Sequence, residues 1–221
     1  AAQPSSYGIY VATGRFQFLS VSLELFFSST ASQIVTRPWK GTARRGRWNA
    51  EDVMSSTALA ASEKERAENV MIVDLVRNDL GRIAKLGTVR VPRLFEVERH
   101  PTVWQMTSTV TGIVRDDVRL VDIFAALFPC GSVIGAPKIA AASWIADHEA
   151  APRGLYCGAM GIVRPGGDCV FNVAIRTLVI DREVGIAEYG CGGAITMDST
   201  PAGEYDELLA KADVLRSAVP E

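Results

Sequence analysis

Two pairs of glutamates in this chain share one spacing. Glu65 and Glu68 stand three residues apart, as do Glu204 and Glu207, with Lys211 four residues beyond the last. On a helix, residues so spaced project from one face. An isolated pair of this kind is ordinarily a solvated surface with a Glu–Lys ion pair. The first pair, however, interrupts a stripe that reads Ala58, Ala61, Glu65, Glu68, Ile72, Leu75, and acids buried in an apolar face need a partner. Two such pairs facing each other would make an oxygen-only site. That suits Mg2+, which keeps waters and takes few direct carboxylates.

Arg176 falls on the strand face shared with Val170, Asn172 and Ala174. A cation on an inward face needs an anion, and a guanidinium is the natural fork for a carboxylate, whether from a buried side chain or a ligand. Gly190-Cys-Gly-Gly193 lets a ligand approach the backbone, but no helix follows in register as a dinucleotide fingerprint requires. Gly131-Ser-Val-Ile-Gly-Ala-Pro-Lys138 lacks the Gly-Lys-Ser/Thr ending of a phosphate-binding loop. Lys40 sits in a glycine-punctuated loop, Arg37 to Arg47, with five positive charges in eleven residues. It is either a solvated cation or a nucleophile, and the second requires a lowered pKa, which neighbouring positive charges promote.

The elements that must position these residues can be read from pattern. Phe16 to Phe27 alternates as one strand, with Leu19, Val21, Leu23, Leu25 and Phe27 on a dry face and Ser20, Ser22 and Glu24 on a polar one. A short strand around Ile34–Thr36 ends at Pro38. Asn49 suits an N-cap, with Glu51 and Asp52 in the first turn of a helix that continues, with a break, to about Leu80. A short helix covers Asp122 to Phe128, a loop Cys130 to Gly135, and a helix Lys138 to His148 behind Pro137. Strands follow over Tyr156–Val163, Cys169–Ile180 and about Val184–Tyr189, the first two joined by the hairpin signal Pro165-Gly-Gly-Asp168. Ser199 or Thr200 caps a last helix that runs to about residue 217. The fold class is α+β, one domain of largely antiparallel strands packed with helices.

Composition narrows the function classes. The 221 residues carry 23 basic and 25 acidic side chains, a net charge of −2, which excludes a protein held to nucleic acid by bulk charge. Four cysteines without a C-x-x-C pair, and only two histidines, speak against structural zinc and for free thiols in a reducing cytosol. No 18-residue apolar run marks a membrane span. A soluble cytoplasmic location, with neither membrane nor nucleic acid as partner, is the expectation.

Six stretches carry a resemblance. They are Thr36-Arg-Pro-Trp-Lys-Gly-Thr-Ala-Arg-Arg-Gly46, Glu68-Asn-Val-Met-Ile-Val-Asp-Leu-Val-Arg-Asn-Asp-Leu-Gly81 and Phe128-Pro-Cys-Gly-Ser-Val-Ile-Gly-Ala-Pro-Lys138. The others are Arg153-Gly-Leu-Tyr-Cys-Gly158, Asn172-Val-Ala-Ile-Arg-Thr177 and Asp198-Ser-Thr-Pro-Ala-Gly-Glu-Tyr-Asp-Glu207. In this order and with these separations the chain resembles the chorismate-utilising enzymes, which include the anthranilate, aminodeoxychorismate, isochorismate and salicylate synthases. The resemblance implies that residues 1–221 form part of a chorismate-binding two-sheet sandwich, lacking its N-terminal portion.

It also implies roles. Glu68 and Glu207 resemble direct Mg2+ ligands, and Glu65 and Glu204 resemble holders of the metal's waters. Tyr156, Arg176 and Lys211 match residues that grip the enolpyruvyl carboxylate of chorismate. Thr42, Ser132 and the backbone around Gly192 match further substrate contacts, and Glu24 a general acid for the departing ring hydroxyl. Gln105 stands where many members have a histidine. Lys40 resembles the lysine of the aminodeoxychorismate synthases, where anthranilate synthases usually have alanine. The implied reaction is amination of chorismate at C4 through a lysine-linked adduct, toward p-aminobenzoate and folate, with ammonia from a glutamine amidotransferase partner. The alternatives are an anthranilate synthase or a non-catalytic piece of the family.

Overall fold

Two stretches that read as continuous strand are each broken in the middle, and the breaks decide the architecture. The computed structural model describes residues 5–101, 103–197 and 199–216. Phe16 to Phe27 is divided into β2 (Phe16–Ser20) and the start of β3 (Leu25–Thr30). Cys169 to Ile180 is divided into β9 (Cys169–Val173) and most of β10 (Thr177–Asp181). β2 and β10 pair with each other in one sheet, and β3 and β9 pair in another. Both strands thus leave the first sheet for the second side by side. Arg176 takes a left-handed backbone, φ 49°, at the turn. It therefore does not share a strand face with Val170, Asn172 and Ala174, as the pattern had suggested.

The first sheet has four strands in the order β1 (Ile9–Ala12), β2, β10, β11 (Ile186–Tyr189). The second has seven. β3 lies between β4 (Gln33–Arg37) and β9, and β8 (Ala159–Val163) lies beyond β9. β7 (Val103–Ile113) pairs along its length with β4, β5 (Trp39–Arg44) and β6 (Arg90–Arg99). Every pairing is antiparallel. The Gly166-Gly167 turn, both φ positive, joins β8 to β9 where the hairpin signal stood. β6 and β7 have no counterpart in the strands read from pattern, and part of the basic loop at Arg37–Arg47 is strand β5.

The long helical region breaks at Ser62 into α1 (Asn49–Ala61) and α2 (Glu63–Gly81). Ser62 ends one helix with its amide on Leu59 O. It opens the next by accepting from Glu65 N at 3.3 Å, with Glu63 and Glu65 in the first turn. The N-cap of α1 is Trp48 rather than Asn49, which lies inside the helix. The buried stripe of α2 is Asn69, Ile72, Val73, Val76, Asp79 and Leu80, whereas Ala58 and Ala61 are exposed and Glu65 and Glu68 only half-buried at its margin.

α2 and α3 (Leu120–Leu127) cover one face of the seven-stranded sheet, over Phe26, Phe27, Ile34, Val110 and Val173. Phe124 meets Phe27 edge-on at 5.2 Å and Phe171 at 4.9 Å. One helical turn, α4 (Gly131–Ile134), occupies the expected Cys130–Gly135 loop, followed by α5 (Lys138–His148) and α6 (Pro201–Arg216). Thr200 Oγ1 accepts from Gly203 N and caps α6, whose expected last residue, 217, lies outside the described residues. Among the described residues no single helix is long and apolar enough to cross a membrane.

The segment from α3 to α5 is pinned by a nearly buried ion pair. Lys138 Nζ donates to Asp79 Oδ2 at 2.6 Å and to Leu127 O at 2.8 Å, with the two side chains 14% and 8% exposed. Removing one partner of such a pair leaves a buried charge unanswered. Asp79→Ala should therefore lose about 3–5 kcal/mol in urea titrations, and Asp79→Leu combined with Lys138→Met should recover most of it. Equal losses in the single and double variants would show that shape, not charge, holds this corner.

Candidate active site

Glu24 lies where the strands change sheets. It is 3% exposed, and Ser20 and Ser22 on the same expected polar side are also buried; of the expected dry side, Leu23, Leu25 and Phe27 are buried while Leu19 and Val21 are exposed. Ser132 Oγ, carried in by α4, donates to Glu24 Oε1 at 2.6 Å. The Trp39 amide reaches the same oxygen at 3.5 Å, and the Cys130 thiol lies 4.0 Å away. Burial pushes the Glu24 carboxyl up to about 7, against the pull of Ser132, the Trp39 amide and the charge of Lys40. A carboxyl so poised can donate a proton near neutrality. Burial, reinforced by the Glu24 charge, likewise pushes the Cys130 thiol up to about 12, which keeps it protonated.

Lys40 enters on β5 through a bulge. Trp39 pairs with Thr107 and Thr42 with Gln105, so one extra residue is accommodated, with Gly41 at φ 88°. Lys40 Nζ lies 3.7 Å from Glu68 Oε2, with side chains 15% and 18% exposed. Two of the expected arginine neighbours are engaged elsewhere. Arg37 binds Glu98, and Arg45 binds Asp52 at 2.6 Å. The charges that reach Lys40 are those of Glu68, Glu24 and Glu65.

Glu65 on α2 and Glu207 on α6 come within electrostatic reach of each other. Burial raises the Glu65 carboxyl, the Glu68 charge raises it further, and the Glu207 charge adds to this from α6, with Lys64 and Lys40 opposing. Glu204 accepts from Ser199 Oγ at 2.5 Å through one oxygen, and its Oε2 is buried without a hydrogen-bond partner. The donors are all carboxylate oxygens, the chemistry of a hard cation. Yet among the described residues no three His, Cys, Asp or Glu side chains are grouped so as to hold a metal. Glu207 is instead bound by Lys211 at 2.6 Å, and Glu68 is approached by Lys40. In donor type and orphaned oxygen the residues fit Mg2+, provided Lys211 releases Glu207.

Lys211 Nζ also donates to Gly192 O at 2.9 Å, which ties α6 to the Gly190–Gly193 segment. A side chain at Gly190 would collide with the Tyr156 ring, and one at Gly192 would stand 2.7 Å from Tyr156 Oη. The glycines thus make room for Tyr156. Arg176, largely buried, feels the charges of Tyr189 and His100, and burial lowers its pKa. Thr42 Oγ1 and the Gly41 carbonyl are both bonded to the Gln105 amide. The structure therefore gathers Glu24, Lys40 and Ser132, and separately Glu65, Glu68 and Glu207. It joins Tyr156, Gly192 and Lys211, and Thr42 with Gln105.

The Trp39 amide, the Cys130 thiol against Glu24, and His100 beside Arg176 were not anticipated. The run Thr107-Ser-Thr-Val-Thr111, rich in β-branched residues, was the available signal for β7, the strand that carries Gln105. Cys130, Cys157 and Cys169 are buried free thiols, and Cys191 is half-exposed and free.

The raised carboxyl of Glu24 has a thermodynamic signature. The folded chain holds the proton to about pH 7, while the unfolded chain releases it near 4.5, so stability is lost as pH rises between these values. Glu24→Gln mimics the protonated form and lacks that slope. The variant should gain on the order of 3 kcal/mol on the wild type between pH 4 and pH 8, read from paired denaturation curves. A difference that does not change with pH would place the Glu24 carboxyl at its ordinary value.

Comparison with known proteins bears on what this site serves. A family model described as chorismate binding enzyme matches residues 1–217. Aminodeoxychorismate synthase component 1 of Bacillus subtilis (strain 168) is 39% identical over 216 residues, 98% of this chain and 46% of the relative. Anthranilate synthase component 1 of Aquifex aeolicus (strain VF5) is 38% identical over 217 residues, 98% of this chain and 43% of the relative. The crystal structure of anthranilate synthase component I from Streptococcus pneumoniae TIGR4 matches with a TM-score of 0.86 and 36% identity, covering 96% of this chain and 46% of that one. The chain spans less than half the length of each of these proteins. With the six sequence stretches, the sheet-switching strands and a family match over residues 1–217 in agreement, the chain belongs to the family of chorismate binding enzymes.

Proposed function

We propose that the protein aminates chorismate at C4 to give 4-amino-4-deoxychorismate, with ammonia supplied by a glutamine amidotransferase. Relatives named for the two branches are about equally similar, so the choice between them rests on one observation. Position 40 is a lysine whose amine lies nearly out of solvent, 3.7 Å from Glu68, where a cation held by Glu68 would displace the ammonium and favour the neutral, nucleophilic amine.

In this reading the neutral Lys40 amine attacks C2 of the ring. The ring electron pair shifts, the C4–O bond breaks, and Glu24 gives its proton to the departing hydroxyl, which leaves as water. Ammonia then attacks C4, the pair shifts back, and the C2–N bond breaks to free Lys40. The new ammonium returns one proton to Glu24. The sum is chorismate plus ammonia giving the amino product plus water. Arg176, Tyr156 and Lys211 hold the enolpyruvyl carboxylate, and Ser132 keeps Glu24 aimed. Glu68 and Glu207, backed by Glu65 and Glu204, would hold Mg2+, which when bound neutralises the ring carboxylate. A second reading, anthranilate formation, draws on the 38% identical Aquifex aeolicus relative, and the product distinguishes it by loss of pyruvate.

The nucleophile is tested by intact-mass measurement after mixing the full-length protein with chorismate and Mg2+ without ammonia. Wild type should gain the mass of chorismate less water, and Lys40→Ala should gain nothing while still binding chorismate. Adduct in the alanine variant, or amination by a wild type whose Lys40 is never modified, would refute the assignment.

The metal reading predicts a graded loss. Glu207→Gln should abolish most Mg2+-dependent chorismate binding, while Glu204→Gln, acting on the outer sphere, should weaken it on the order of 10–100-fold. Near-wild-type binding in both, measured by calorimetry with and without Mg2+, would return these acids to a solvated surface.

A further inference from the structure

The polarity of one hydrogen-bonded pair constrains what Thr42 can do. Gln105 is 3% exposed and faces Thr42 directly across the β5–β7 ladder. Its Nε2 donates to the Gly41 carbonyl at 2.7 Å, and its Oε1 lies 2.8 Å from Thr42 Oγ1. A carbonyl can only accept, so the amide orientation is fixed at the Gly41 end. The oxygen therefore points at Thr42, and an amide oxygen likewise only accepts. The single hydroxyl proton of Thr42 is thereby committed to Gln105, and what remains on Thr42 is a pair of acceptor sites.

Thr42 itself is exposed. It follows Gly41, where a Cβ would stand 3.0 Å from Glu65 Oε2, and lies two residues beyond Lys40. An acceptor at this place cannot help a hydroxyl leave, because that needs a donor. It can orient a neutral amine, which offers N–H groups and keeps its lone pair free for attack. As the C–N bond forms, positive charge grows on that nitrogen and the contact strengthens.

We propose that Gln105 is a positioning residue that sets Thr42 as the hydrogen-bond acceptor for the incoming ammonia. The inference rests on the aminating reading given above and adds to it the group that receives the nucleophile.

The test follows the initial rate of the intact protein against un-ionised ammonia, at saturating chorismate and Mg2+. Gln105→Met keeps the side-chain length but frees the Thr42 hydroxyl to turn. It should raise the KM for ammonia about ten-fold, the worth of one hydrogen bond, with chorismate binding and Lys40 adduct formation unchanged. Thr42→Val should show the same rise in the KM for ammonia, and the double variant should be no worse in that respect than Thr42→Val alone, because the two residues act as one unit.

Gln105→His supplies a further readout. A neutral imidazole reproduces the donor to Gly41 and the acceptor to Thr42, so ammonia use should be retained at pH 8. Below about pH 6.5 the ring gains a proton, presents donors on both sides and turns the Thr42 hydroxyl around. The KM for un-ionised ammonia should then rise in this variant and not in wild type. The charged neighbours, Glu98 opposite Gln105 on β6 and Glu65 beside Gly41, are common to both proteins.

An unchanged ammonia KM in Gln105→Met would overturn the inference and leave the aminating reading standing. So would a proportionate loss of chorismate binding, adduct and ammonia use, which is the mark of a purely structural residue. If Gln105→Met does not fold, the pH profile of Gln105→His decides. Absence of any amination by wild type would remove both.

Discussion

Where β2 becomes β3 and β10 becomes β9, backbone hydrogen bonds tie the two crossing strands together on either side of the crossing. Val21 N donates to Arg176 O at 3.1 Å on one side of the crossing, and Val173 N donates to Glu24 O at 3.1 Å on the other. These bonds carry the ladder from the first sheet into the second without a gap. A buried backbone group left unpaired costs about 1–3 kcal/mol, so the chain cannot open here cheaply. The positions of Glu24 and Arg176 are consequently set by main-chain geometry, and the other groups are delivered to them. Ser132 arrives on a helical turn whose Gly131 lies flush against Leu75, and Lys40 arrives through the bulge at Gly41.

Around that crossing the charges are arranged in opposition. Glu24 is kept partly protonated by the dry surroundings that make it useful as an acid. The like charges of Glu68 and Glu207 both reach Glu65 and oppose its ionisation. Lys40 and Lys211 relieve part of that repulsion, one at Glu68 and one at Glu207. A cation entering the acid cluster competes with these lysines. In the proposed reading, Lys211 freed from Glu207 would turn wholly to the anionic ligand, and a bound metal and the substrate carboxylate would favour each other's binding.

Much of this was legible before any coordinates. The helices at Lys138–His148 and Pro201, the break within Asn49–Leu80, and the common i, i+3 spacing of the two glutamate doublets follow from periodicity, caps and proline placement. What failed was continuity. Nothing in Phe16–Phe27 or Cys169–Ile180 announces a change of sheet, because alternation persists through a crossing that only the partner strand defines. The same blindness misplaced the polar residues at the end of β2 and just beyond it: Ser20 and Ser22 read as solvent-facing, yet they are buried and Ser20 Oγ bonds Asn172 and Thr177. Arg176 read as a strand cation for the same reason. The stripe through Ala58 and Ala61 failed at Ser62, where the helix axis restarts and a helical phase cannot be carried across. Gln105 was noted only as a departure, and its role became visible once the register set it opposite Thr42.

The uneven burial of the four thiols gives the chain a chemical asymmetry. Three are enclosed, and the only half-exposed one, Cys191, lies between Gly190 and Gly192 on the floor that Tyr156 and Lys211 share. An alkylating reagent would meet that sulfur first, without any engineered cysteine. A fluorophore placed there would sit where the glycines leave no spare volume, and its emission would register any change in how α6 seats against the floor.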